Sequence, residues 1–160
     1  MKRITKVALL LILSIIMITV LNGCSRVSAY QKGIYDKDKE IVKQNDSATF
    51  FKRIGNTTND TLAISFSSFS GMESLWSIKS KGDNTLTIEY DLHLDKGRFK
   101  CVFITPEDEV INIFEDEDKD NKTIELPEGK SRIKIVGKEA KGKVAISIIS
   151  MEDVNIQEID

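Results

Sequence analysis

The chain has 160 residues, with 23 basic and 25 acidic side chains, a formal charge of −2, two cysteines and one histidine. That balance leaves no basic footprint for nucleic acid, and one histidine with two thiols cannot supply the four N or S ligands, or three and a water, of a zinc site. No phosphate-binding loop and no Gly-x-Ser-x-Gly elbow occurs either.

Met1 to Lys6 carries Lys2, Arg3 and Lys6 with no acid, and Val7 to Leu21 follows with only Ser14 and Thr19 as polar side chains. A charged segment and then an apolar one is the layout of an export signal. As a helix, those 15 residues would span about 22 Å, short of the roughly 30 Å of a bilayer core, so cleavage is expected rather than a permanent span. Leu21-Asn22-Gly23-Cys24 ends the segment and resembles the lipobox of bacterial lipoproteins, with an aliphatic residue three before the cysteine and a small one just before it. Asn22 stands where that family usually has a small residue. The resemblance implies a signal peptide over 1–23, diacylglyceryl transfer to the Cys24 thiol, and a mature chain fixed by lipid to the extracytoplasmic face of the cell membrane. Two acyl chains anchor stably where one is marginal.

Without residues 1–23, 20 bases face 25 acids, a formal charge of −5. An acidic surface of that kind argues against nucleic acid or another polyanion as partner. With Cys24 acylated, Cys101 is the remaining thiol, so no intramolecular disulfide is available.

Residues 24–60 are polar, free of proline and mixed in charge, which reads as a lipidated cysteine followed by a solvated tether, with docking expected only around Phe50 and Phe51. From Thr61 the texture becomes period-two alternation: Leu62 to Phe66, Leu75 to Ile78, Leu86 to Leu92, Phe99 to Phe103, Val110 to Phe114, Thr123 to Leu126, Arg132 to Val136 and Val144 to Ile149. Each is a half-buried strand signal. Turn signals separate them at Ser70-Gly71, Gly82-Asp83-Asn84, Asp95-Lys96-Gly97, Pro106-Glu107-Asp108, Pro127-Glu128-Gly129 and Gly137 to Gly142. The expectation is an all-β, single antiparallel β-sandwich or jelly-roll of about eight strands over 61–150, with 151–160 as a C-terminal tail. The strand Thr85 to Tyr90 with Lys96-Gly97, Thr105-Pro106-Glu107 and Lys141-Gly142 is also similar in pattern to β-sandwich domains of uncharacterised lipoproteins of low-GC bacteria, a resemblance that implies no activity.

Three constellations bear on chemistry. A hairpin at Asp95-Lys96-Gly97 would bring Asp91, His93 and Cys101 together; a two-residue loop places Cys101 in the core and His93 outside, whereas a Gly97 bulge puts both on one face. The apolar alternation favours the first arrangement, with Cys101 as a buried hydrophobe and no Cys-His enzyme. Asp116, Asp118 and Asp120 alternate like the first ligands of a calcium loop, but Asn121 and Pro127 occupy the positions that need glycine and a bidentate glutamate, so no EF-hand is present. Phe66, Phe69, Trp76, Tyr90, Phe99 and Phe103 offer stacking surfaces for sugars, yet sit at in-facing strand positions where core packing is the default. The sequence therefore supports a non-enzymatic binding or accessory module with no cofactor, whose partner is an envelope protein or a glycan. A calcium-dependent or carbohydrate-binding sandwich is the alternative.

Overall fold

The computed structural model describes residues 29–82, 84–116, 118–150 and 154–159. The signal segment and Cys24 lie outside them. The chain divides into two compact units, 1–30 and 31–160, and the fold below is that of the second.

Eight antiparallel strands form one sheet: β1 (Ser47–Thr49), β2 (Lys52–Thr57), β3 (Thr61–Ser80), β4 (Asn84–Ile104), β5 (Val110–Glu115), β6 (Asp118–Leu126), β7 (Gly129–Ser150) and β8 (Asn155–Glu158). The fold is all-β, an open antiparallel sheet bent over itself into a sandwich. β7 lies at its centre, paired along its length with β3 on one side and β4 on the other. β2 and then β1 and β8 extend β3, while β6 and then β5 extend β4.

The bend follows from strand length. β3, β4 and β7 have 20, 21 and 22 residues, and at about 3.3 Å per residue each would run some 65–70 Å if straight, far beyond a domain of this size. Irregular register interrupts all three at matching places, 66–71 on β3, 94–98 on β4 and 137–142 on β7. Bulges there turn each strand sharply. Gly97 has φ 81, and a Cβ there would lie 2.4 Å from the Glu139 carbonyl oxygen; at Gly137 it would meet the Phe69 ring at 2.3 Å. Glycine is what lets the corner close.

This corrects the strand boundaries. Leu62–Phe66 and Leu75–Ile78 belong to one strand, as do Leu86–Leu92 with Phe99–Phe103, and Arg132–Val136 with Val144–Ile149. The glycine signals at 71, 97 and 137–142 bend the chain without reversing it, because pairing to β7 continues through them. Residues 154–159 are likewise more than a tail, since β8 pairs with β3.

The two halves of the bent sheet face each other across the main core. Phe66 stacks on Phe99 at 4.9 Å and Tyr90 on Phe114 at 4.2 Å, each pair joining the first half to the second. Trp76 is fully buried, its indole N–H donating to the Thr58 carbonyl at 2.6 Å.

A second, smaller core covers the opposite face of the second half. Ile34, Tyr35 and Ile41 are buried there against Met72, Val102, Ile104 and Val136. The reading of 24–60 as a solvated tether therefore fails for residues 31–57, which form a covering strap over 31–42 and then strands β1 and β2, while the docking expected around Phe50 and Phe51 is found at Phe50, stacked on Phe69 at 4.3 Å, and not at Phe51, which is exposed. Cations on the sheet hold the strap: Arg132 donates to the Val42 carbonyl at 2.8 Å and Lys134 to the Lys43 carbonyl at 2.7 Å, just past the short helix Asp38–Ile41. Basic groups at a helix C-terminus satisfy carbonyls that have no partner within the helix. At the other end, Tyr35 donates to Glu115 at 2.8 Å beneath the Arg98 guanidinium, 4.5 Å from the ring centre.

Candidate functional site

The second half of the sheet is covered on both faces, whereas the first half leaves its outer face to solvent. Alternation sets which residues stand there: Leu62, Ile64 and Phe66 point inward, so Ala63 and Ser65 point out; Val144 and Ile146 point inward, so Lys143 and Ala145 point out. Register aligns them into rows. His93, Lys143, Ser65 and Ile54 form one row across β4, β7, β3 and β2, and Asp91, Ala145, Ala63 and Asn56 form the next.

Ala63, Ser65 and Ala145 are the short side chains of this face, with Lys143 among them and longer side chains around them. The result is a groove of two adjoining hollows of about 580 and 510 Å³ that share Ile54, Ser65 and Lys143. Lys52, His93, Asp95 and Lys141 line the first, and Asp91 lines the second.

Its acids are already engaged. Asp95 sits 3.6 Å from His93 Nε2 and 3.5 Å from Lys141 Nζ, and Asp91 accepts from Lys119 at 2.7 Å, a hydrogen bond that holds its carboxyl below the usual carboxylate range. Among the described residues, Lys52 and Lys143 have no carboxylate within ion-pair distance. The groove is therefore locally basic on a chain that is acidic in sum.

The residues singled out from sequence fall elsewhere. Cys101 is fully buried, paired with Ile135 and Phe114, and burial pushes its thiol well above the usual range. No hairpin brings His93 to it, because both lie on β4 with the bend between them. His93 is exposed and belongs to the groove. Asp118 and Asp120 are on β6, opposite Leu92 and Tyr90, and Asp118 accepts from the Tyr90 hydroxyl at 3.3 Å. Among the described residues no three His, Cys, Asp or Glu side chains converge to hold a metal. The six aromatics weighed for sugar stacking are all buried.

The groove residues Lys52, Ser65 and Lys143 were not singled out from sequence, and Lys141 was noted there only as part of a turn pattern. Their signal is small outward residues in neighbouring strands, Ala63 and Ser65 in β3 beside Ala145 in β7. It can be read only once β3 and β7 are known to pair.

No protein-family model and no curated protein matches the chain. Solved structures do match. An exo-β-1,3-galactanase from Phanerochaete chrysosporium with β-1,3-galactotriose aligns with 66% of this chain and 28% of its own at 10% identity and a TM-score of 0.41. The secreted serine protease VesC from Vibrio cholerae aligns over 70% and 22% at 11% identity and a TM-score of 0.38. TmCBM61 in complex with β-1,4-galactotriose aligns over 67% and 70% at 11% identity and a TM-score of 0.33. The chain thus spans less than a third of the galactanase and of the protease.

Proposed function

We propose that the protein is a lipid-anchored, non-enzymatic binding module on the extracytoplasmic face of a bacterial membrane, and that its groove takes an extended, hydroxyl-rich chain, a glycan. The floor of the groove carries this reading. Solvent-facing sheet positions usually carry long polar side chains, whereas here Ala63, Ser65 and Ala145 leave backbone and hydroxyl groups within reach of a ligand lying across the strands. Hydroxyl, imidazole, carboxylate and ammonium groups surround that floor, and hydrogen-bonding groups of this density suit a polyhydroxylated ligand better than an apolar one. Anchoring rests on Leu21-Asn22-Gly23-Cys24 after the charged and apolar segments.

The test is a titration of the full chain in detergent with soluble oligosaccharides, followed by backbone amide shifts. Shifts should concentrate at Ser65, His93 and Lys143, and Ser65→Trp, which fills the floor, should abolish them with the fold intact. Shifts confined to other faces, or none, would sink the groove reading. For the anchor, cells fed an alkyne-bearing fatty acid should label the chain and fail to label Cys24→Ala.

A further inference from the structure

We infer that the ligand of the groove is an acidic glycan, its anionic groups held by Lys52 and Lys143; this rests on the groove being the binding site. Charge complementarity is the argument. Three lysines and a histidine line the first hollow against the single carboxylate of Asp95, and Asp95 is engaged by Lys141 and His93. The second hollow adds Asp91, engaged by Lys119. Lys52 and Lys143 are exposed ammonium groups that form no ion pair within 4 Å among the described residues, Lys143 acting on Asp91 only at longer range.

Each of these two lysines lies opposite a serine of the same strand. Lys143 is in register with Ser65, and Lys52 with Ser67. An ammonium beside a hydroxyl is a site for an anion beside a hydroxyl, and the arrangement occurs twice. Ser65 and Ser67 are two residues apart on β3, a spacing of about 7 Å along the strand. A polymer that repeats acidic group and hydroxyl could meet both sites at once, so that the second contact forms intramolecularly and strengthens the first.

Lysine rather than arginine also bears on the ligand. An ammonium is a compact charge on a flexible stem, without the planar fork that selects one anion geometry. The pair therefore reads charge and spacing, and either carboxylate or phosphate supplies the chemistry.

The experiment compares oligogalacturonate, a glycerol-phosphate oligomer and neutral maltohexaose of similar length on the full chain in detergent. An acidic oligomer should bind at least about tenfold more tightly than the neutral one, a difference of about 1.4 kcal/mol, and whichever of the two binds better identifies the anion. Lys52→Glu with Lys143→Glu should remove that preference, while Lys130→Glu with Lys81→Glu, equal in charge change but outside the groove, should keep it. Equal binding of the neutral oligomer, or equal loss in the control variant, overturns the acidic ligand and leaves the groove reading standing. Failure of every oligomer to shift the groove resonances overturns both.

Discussion

Lys134 has no exposed side-chain surface, yet it carries an ammonium. It donates to the Lys43 carbonyl at 2.7 Å and to Asp46 Oδ1 at 3.1 Å, with the Met72 sulfur at 3.9 Å. Asp46 is held in turn by the Ser74 N–H at 2.7 Å and the Ser74 hydroxyl at 2.8 Å. Burial lowers the Lys134 pKa from its ordinary 10.5, and Asp46 opposes that shift. Between the lowered value and 10.5 the unfolded chain binds a proton that the folded chain has released, so this lysine makes stability rise with pH there; at lower pH its contribution is level. Asp46→Asn removes the counter-charge and should destabilise the fold by about 2 kcal/mol, between the values for buried and exposed pairs because Asp46 is a third exposed. The variant should also steepen the rise of the urea midpoint with pH on the alkaline side, as its lysine pKa falls further. A midpoint equal to wild type across that range would refute this account. Cys101 was legible in sequence because period-two alternation put it in the core. Lys134 was not, since the same alternation placed it on a face assumed to be solvated.

That face is covered by residues 31–42, and its cover left a trace in the strands more than in the strap itself. Cys101-Val102-Phe103-Ile104 and Ile133-Lys134-Ile135-Val136 run nearly without polar interruption, the pattern of strands buried on both faces. Within the strap only Ile34, Tyr35, Ile41 and Val42 are large and apolar among many charges, which composition alone reads as a linker. Three of them nonetheless supply buried area: Ile34 and Ile41 are 0% exposed and Tyr35 is 1%. Ile41→Ala should cost about 2–4 kcal/mol in denaturant unfolding. A loss below 0.5 kcal/mol, in the range of ordinary surface substitutions, would mean that the strap does not contribute to the folded state. The corner elements were half-legible for a related reason. Glycine with a polar neighbour permits either a reversal or a bend, and only the partner strand running past Gly71, Gly97 and Gly137 decides between them.

At the scale of the whole molecule, the all-β antiparallel class and the positions of the apolar runs were legible, because alternation and turn chemistry are local. Connectivity was not, since three pairs of apolar runs are each one strand and β1, β2 and β8 come from stretches that looked like tether and tail. The basic groove was hidden for the same reason: a sum of charges has no position, and Lys52 and Lys143 come from strands whose adjacency is set by β3 between them. One consequence of this connectivity concerns biosynthesis. β3 and β4 follow each other in sequence but are not neighbours, because β7 occupies the place between them. A chain released through Glu128 would hold β1 to β6 with no centre to pair on. Such a truncated chain should give no cooperative thermal transition, and a sharp one at wild-type temperature would refute the point. Long-range pairing of this kind is slow to assemble. During synthesis the emerging polypeptide has no template for either long strand until residues 129–150 have been made, so its two halves wait, unpaired, on the strand that comes after both.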